Sequence, residues 1–195
     1  MTRPTQFILA SGSARRRELL DQMGLKYEVV ITDVDESVQQ GEAAADYVCR
    51  IAARKARAVT TGGCPQRCVL SADTAVVLDG KILGKPANAA EAVEMLLSLS
   101  GRMHDVFSAV VLLTTDGREL RRLNVSSVTF AALDPLDIKA YCASGEPLDK
   151  AGAYAIQGFA AQWVSRLEGS FSGVMGLPLY ETMDLLRQAG IRVVP

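Results

Sequence analysis

The sequence predicts an α/β protein built on a mixed, partly antiparallel sheet. Three observations lead there. Strand-like and helix-like segments alternate early in the chain. The middle is dominated by apolar runs joined through Asp79-Gly80 and Asp116-Gly117, dipeptides that suit the tight turns of antiparallel hairpins. No low-complexity linker or internal repeat interrupts the 195 residues, so one domain over 1–195 is expected.

Gln6 to Ala10 reads as a first strand and Ser11-Gly12-Ser13 as a turn. A helix follows, with Ser13 at its N-cap, Leu19, Leu20 and Met23 facing inward, and Gly24 ending it. Tyr27 to Ile31 is a second strand and Thr32 to Glu42 an acidic, polar loop. From Ala43 to about Thr60, the residues Tyr47, Val48, Ile51, Ala52, Lys55 and Val59 recur at helical spacing. A Gly-Gly-Cys-Pro loop leads to a hairpin from Val69 to Pro86. Asn88 starts a third helix to Leu99, and Glu91 completes an N-x-x-E cap. Asp105 to Thr115 and Glu119 to Leu133 are paired strands. Asp134-Pro135 opens a short helix to Ala143. Gly152 to Gln157 and Gln162 to Leu167 read as further strands, and Pro178 to Ala189 as the last helix, with Ile191 to Val194 closing the chain.

With 21 basic and 22 acidic residues, the net charge of −1 gives no general pull toward nucleic acid or a membrane surface. Any anion site has to be local. No apolar run approaches the ~18 residues of a spanning helix, and Phe7 to Ala10 is too short for a signal peptide core. A cytoplasmic protein with no nucleic-acid or membrane partner is expected. Cys64 and Cys68 form C-x3-C, but a zinc site needs two more ligands and the single histidine, His104, is distant in sequence. Reduced thiols are expected.

Asp73 is the first functional candidate. It stands in the run V-L-S-A-D-T-A-V-V-L, where a buried, unpartnered carboxylate costs several kcal/mol. Either it faces water at a strand edge or a cation meets it. Lys85, at the end of the hairpin, brings one back. Lys55 shares the apolar stripe of its helix, so it either snorkels to the surface or reaches a cleft beside Asp73 or a phosphate. Arg54 and Arg57 point elsewhere, toward solvent. The first turn, S-G-S-A-R-R-R, feeds a helix N-terminus whose free N–H groups suit an anion. Arginines there have the wrong sign for the helix dipole, which leaves an external anion or a solvated basic face. Asp33, Asp35 and Glu36 form an acidic loop; Val38 stands where a calcium-binding loop wants Gly. With Asp73, this loop could hold Mg²⁺ alongside phosphate oxygens. Carboxylates among scattered Arg and Lys suit phosphate-ester or anhydride chemistry better than a Ser-His-Asp triad.

These residues, in order and spacing, resemble the Maf family of nucleoside triphosphate pyrophosphatases. The matching segments are L-A-S-G-S-A-R-R at 9–16, D-E at 35–36, K-A at 55–56, S-A-D-T at 71–74 and G-K-P at 84–86. P-L-D-K-A-G-A-Y-A-I-Q-G at 147–158 and G-L-P-L at 176–179 complete the set. Ala14 stands where the family usually has Pro. The resemblance implies a fold like that of inosine triphosphate pyrophosphatases, with two lobes around a long mixed sheet and a cleft between them. It implies a homodimer and a divalent cation, Mg²⁺ or Mn²⁺. The reaction implied is cleavage of a nucleoside triphosphate to the monophosphate and pyrophosphate. By position, Asp73 matches the proton acceptor, and Ser11, Arg16, Glu36, Lys55 and Lys85 match other polar cleft residues. Glu36 and Asp73 are the expected metal ligands, and Ser11, Ser13, Arg16, Lys55 and Lys85 the phosphate-binding set. Arg15, Thr74 and Gln157 agree with the branch acting on dTTP and UTP, with modified pyrimidine nucleotides as further targets; a branch acting on 7-methyl-GTP has Trp, Gln and Glu instead. A Gln amide can pair with a uracil or thymine edge. A different reading of the same resemblance is a nucleotide-binding regulator of cell division or septum formation without turnover.

Overall fold

The computed structural model describes residues 5–60 and 65–193. Along the chain come β1 (Phe7–Leu9), α1 (Ala14–Gln22), β2 (Tyr27–Val29), α2 (Ala44–Ala58), β3 (Val69–Leu78) and β4 (Lys81–Leu83). Then follow α3 (Ala89–Leu99), β5 (Met103–Leu113), β6 (Glu119–Phe130) and α4 (Pro135–Ala143). After 3-10 turns at Glu146–Asp149, Ala151–Ala153 and Phe159–Trp163 come β7 (Val164–Glu168), α5 (Phe171–Met175) and α6 (Leu179–Gln188). Among the described residues the strands form one seven-stranded sheet in the order β2-β1-β3-β5-β6-β7, with β4 also on β3. β1 runs parallel to β2 and β3, and the remaining pairings are antiparallel. The predicted mixed α/β class is what the chain adopts.

The sheet buries both faces, each against a different helix set. On one side α2 lays Tyr47, Val48, Ile51, Ala52 and Ala56 onto Val69, Ala75, Ala109 and Val111. On the other, Leu19 and Leu20 of α1, Leu96 and Leu99 of α3, Ile138 of α4 and Leu185 and Leu186 of α6 join Leu70, Val76, Val110 and Phe130. Burial of apolar side chains on this scale is the main driving force for the fold. The turn between β3 and β4 places Asp79 and Gly80 at φ 50° and 76°, the left-handed pair that a two-residue hairpin needs. Asn88 Oδ1 accepts from Glu91 N at 3.0 Å and Glu91 Oε2 accepts from Ala87 N at 2.7 Å, so the predicted cap of α3 forms in both directions. Asp134 caps α4 in the same way, its Oδ1 accepting from Leu136 N at 2.7 Å.

One gap in the strand pairing positions everything that follows. β5 runs along one edge of β3 from Val69 to Val77. The opposite edge is shared: β1 pairs only with Val69 and Leu70, and β4 only from Val76 to Leu78. Between them, Ser71 to Ala75 face a notch. β1 ends there and its chain turns into α1.

One predicted strand is absent and another starts later than expected. Gly152 to Gln157 is not a strand, because Gly152 and Ala153 take left-handed φ of 66° and 61° in a 3-10 turn and a second turn follows at Ile156 and Gln157. Gln162 likewise lies in a 3-10 turn, and β7 begins only at Val164. Ser13 occupies the N-cap of α1, but its side chain makes no capping bond. The short helix α5 carried no periodic signal; Ser170 caps it by accepting from Gly173 N at 3.0 Å. Cys64, Pro4 and Val194 lie outside the described residues.

Gly152 is held against β3. A Cβ there would sit 2.9 Å from Val76 Cβ, Cγ1 and Cγ2, and the left-handed φ adds strain. Gly152→Ala is therefore expected to cost about 2 kcal/mol or more. Gly190→Ala, with φ 74° but nothing within 4 Å, should cost only about 1 kcal/mol. Urea unfolding midpoints of the two variants check this; equal losses would contradict the close packing of the 150–157 segment.

Candidate active site

Alternation along β3 points Asp73 to the α2 face, beside Ser71, whose Oγ donates to Ala52 O at 2.6 Å. Asp73 is 5% exposed and does not face water. Lys55, 9% exposed, comes down from α2 and donates to Asp73 Oδ1 at 2.7 Å. The same ammonium lies 2.7 Å from Glu36 Oε1. Of the two options open from sequence, the cation meets the carboxylate. Among the described residues, Asp73 Oδ2, Glu36 Oε2 and one ammonium proton are left over for water, a metal or a ligand.

Glu36 sits on a loop that α2 holds in place. Tyr47 Oη donates to Glu36 O at 3.0 Å, Arg50 Nη2 to Ser37 O at 3.0 Å and Arg54 Nη1 to Asp35 O at 3.0 Å. Arg50 also forms a two-pronged pair with Glu42, whose carboxyl is held down at about 2 chiefly by that hydrogen bond. Arg54 is therefore an anchor of the acidic loop. Arg57 pairs with Glu119 at 2.7 Å. Both side chains stay exposed while making these contacts, as expected from their place off the apolar stripe.

The two carboxyls are driven apart. Burial pushes Asp73 above the ordinary carboxylate range, against the opposing pull of Lys55 and Arg16. Burial also works against ionised Glu36, but the Lys55 hydrogen bond and the charges of Lys55, Lys85 and Arg16 outweigh it and leave Glu36 lowered. Two neighbouring carboxyls with diverging proton affinity are suited to different roles, one to take a proton and one to stay charged.

Arg16 is buried, not part of a solvated basic face. Its Nε donates to Gly176 O at 2.8 Å and its Nη1 to Ser11 Oγ at 3.1 Å, leaving Nη2 uncommitted among the described residues. Ser11 Oγ also accepts from Ser13 N at 3.2 Å, which shapes the turn into α1. Arg15 lies 3.9 Å from Asp149. Ser11, Ser13, Arg15, Arg16, Glu36, Lys55, Asp73, Thr74, Lys85 and Gln157 all line one cavity of about 730 Å³ that fills the notch beside β3. The notch explains how Asp73 and Thr74, on opposite faces of the strand, both reach it. Lys85 has no ion-pair partner among the described residues. Gly152 N donates to Gly84 O at 3.1 Å, docking the segment that carries Gln157 onto the end of β4.

Several cavity residues went unnoticed in sequence. Tyr47 read only as core, and Lys150, Asp149 and Gly176 lay within the matching segments without being singled out. His104 takes no part: it is 2% exposed, its Nε2 lies 2.7 Å from Tyr154 Oη, and burial lowers it to about 4. Cys49, Cys68 and Cys142 are free. Among the described residues no group of three His, Cys, Asp or Glu could hold a metal. Two carboxylates are what Mg²⁺ takes when phosphate oxygens complete its shell, so Asp73 and Glu36 fit a metal that binds together with a phosphorylated ligand.

Lys55→Met would leave Asp73 buried without its partner, at a cost of about 3 kcal/mol. The sign with pH is defined. The penalty is full where Asp73 is ionised. It shrinks as pH falls, because burial already raises Asp73 and the variant removes its cation, so Asp73 takes up a proton and sheds the buried charge. Urea unfolding of both proteins at pH 8 and pH 5 checks this. A gap between them that is independent of pH would contradict the assignment.

Residues 6–189 match the family described as Maf-like protein. The chain is 50% identical over 193 residues to a dTTP/UTP pyrophosphatase of Ralstonia nicotianae, covering 94% of this chain and 93% of that one. It is 54% identical over 186 residues to a dTTP/UTP pyrophosphatase of Methylococcus capsulatus, covering 95% and 92%. A HAM1 protein from Coxiella burnetii shares the fold at 16% identity, with a TM-score of 0.52 over 95% of this chain and all of that one. On the length and strength of these matches, this chain belongs to the Maf-like family.

Proposed function

We propose that this chain hydrolyses dTTP and UTP, and related modified pyrimidine triphosphates, to the monophosphate and pyrophosphate. The observation that carries the reading is the Glu36–Lys55–Asp73 triad at one wall of a cavity ringed by Arg16, Lys85 and the N-terminus of α1. The names of its relatives supply the substrate class.

The triphosphate lies along the Ser11–Ser13 turn, where N–H groups of α1 and Arg16 Nη2 face its oxygens and Lys85 adds charge. A cation–phosphate contact at ~4 Å is worth about 4 kcal/mol at an effective dielectric near 20, before desolvation. Asp73 and Glu36 would hold Mg²⁺ or Mn²⁺, which offsets phosphate charge and polarises the reacting group. Asp73 takes a proton from a water molecule as its oxygen bonds to the α-phosphorus. The bond from that phosphorus to the bridging oxygen breaks, and pyrophosphate leaves with the bonding pair. Lys55 keeps Asp73 in place and Glu36 ionised. At the other end, Thr74 and Gln157 meet the base, and Arg15 borders it. The proposal includes a cytoplasmic homodimer, whose assembly sedimentation equilibrium can read. No feature of the cavity favours a regulator without turnover: the proton acceptor and the cations are all present.

Purified protein with Mg²⁺ or Mn²⁺ is expected to release pyrophosphate, not orthophosphate, from dTTP and UTP. Asp73→Asn should lower kcat by about 10²-fold or more while the chain still folds. Near-normal turnover by the folded variant would sink the base assignment. In the wild type, kcat/KM should fall with decreasing pH through a group titrating above ~3.9, the ordinary Asp value, because burial raises Asp73. An acidic limb at or below that value would contradict it.

A further inference from the structure

Ser108 takes no part in the mechanism above, yet it determines what Thr74 can offer a ligand. Thr74 and Ser108 are direct cross-strand partners on β3 and β5. Ser108 is 0% exposed and Thr74 lines the cavity. Their hydroxyls lie 2.9 Å apart, a distance at which one must donate to the other. Ser108 Oγ is also 2.6 Å from Gly173 O, and a carbonyl can only accept. A serine hydroxyl has a single proton, and here that proton goes to Gly173 O. Thr74 is thus the donor in the Thr74–Ser108 bond. Its own proton is turned into the protein, and only acceptor lone pairs remain toward the cavity. A Cβ at Gly176 would lie 3.7 Å from Thr74 Oγ1, in van der Waals contact, so the glycine leaves that flank of the hydroxyl uncovered.

We infer that Ser108 is a positioning residue for base choice: by locking Thr74 as an acceptor, it favours bases with an N–H donor at the pairing edge. Uracil and thymine carry N3–H there, whereas cytosine carries a bare N3 acceptor. Thr74 facing cytosine N3 would set acceptor against acceptor, and a buried polar mismatch is costly. The inference rests on the pyrimidine triphosphate reading above and names how that site tells uracil from cytosine.

Ser108→Ala is the direct test. Gly173 O keeps the Gly176 N–H, which donates to it at 3.0 Å, so the carbonyl is not orphaned. The freed Thr74 hydroxyl can then rotate and donate to cytosine N3. The kcat/KM ratio of UTP over CTP is expected to fall about tenfold, with CTP turnover rising. In a Thr74→Val background the same change should leave the ratio unaltered. A role in stability alone would lower UTP and CTP together, and an unchanged ratio would overturn the inference. A second measurement needs no variant, and so can overturn the inference even if Ser108→Ala does not fold. The wild type should turn over 3-deazauridine triphosphate, with C–H in place of N3–H, at least tenfold less efficiently than UTP. Equal turnover would overturn the inference. If the wild type releases no pyrophosphate from UTP or dTTP at all, the proposed activity itself fails, which is a separate outcome.

Discussion

The Lys55 ammonium between Asp73 and Glu36 is the constraint on which the rest of the site depends. Asp73 stands on a central strand, where an ionised carboxylate without a partner would be too costly to keep. Lys55 makes its charge tolerable, and α2 must pack on β3 in one register to deliver that ammonium. The same helix reaches outward with Tyr47, Arg50 and Arg54 to hold the loop that carries Glu36. One helix thus fixes the distance between two carboxyls that come from unrelated parts of the chain. The arrangement also divides their labour, since burial raises the proton affinity of one while the surrounding cations lower that of the other.

The sheet contributes an interruption. β1 and β4 share one edge of β3 without meeting, and Asp73, Thr74 and Ala75 in the uncovered stretch between them line the cavity. A continuous pairing would have filled this space with backbone. Instead the end of β1 feeds into the N-terminus of α1, so donors for an anion and a buried carboxylate line the same cavity. The 150–157 segment closes the far side and carries Gln157. Its compact turns depend on a glycine pressed against Val76.

Much of this could be read from sequence, and the failures have physical causes. The Asp79-Gly80 hairpin, the helical stripe of α2 and the caps of α3 and α4 follow local rules that tertiary contacts did not override. Asp73 stood out because a charge in an apolar run demands a partner, and Lys55 because it shared a buried stripe. Gly152 to Gln157 misled because its alternation of small and apolar residues mimics a strand, while the left-handed backbone is set by contact with β3. Arg16 was ambiguous for a related reason, and the anchoring contact of Arg54 was invisible for the same one: a guanidinium reveals its role only through distant carbonyls, Gly176 O in one case and Asp35 O in the other. The orientation of the Thr74 hydroxyl lies further still from sequence, since it depends on a proton that Ser108 gives to a carbonyl of α5.

On the proposed function, water activation and base reading fall one residue apart on β3, on opposite faces of the strand. The most direct test of the central claim, that water placed by Asp73 attacks the α-phosphorus, is hydrolysis of UTP in ¹⁸O-water followed by mass spectrometry of both products. Label in the monophosphate, with unlabelled pyrophosphate, is the result that claim predicts. Label in the pyrophosphate would place the attack on the β-phosphorus and contradict it.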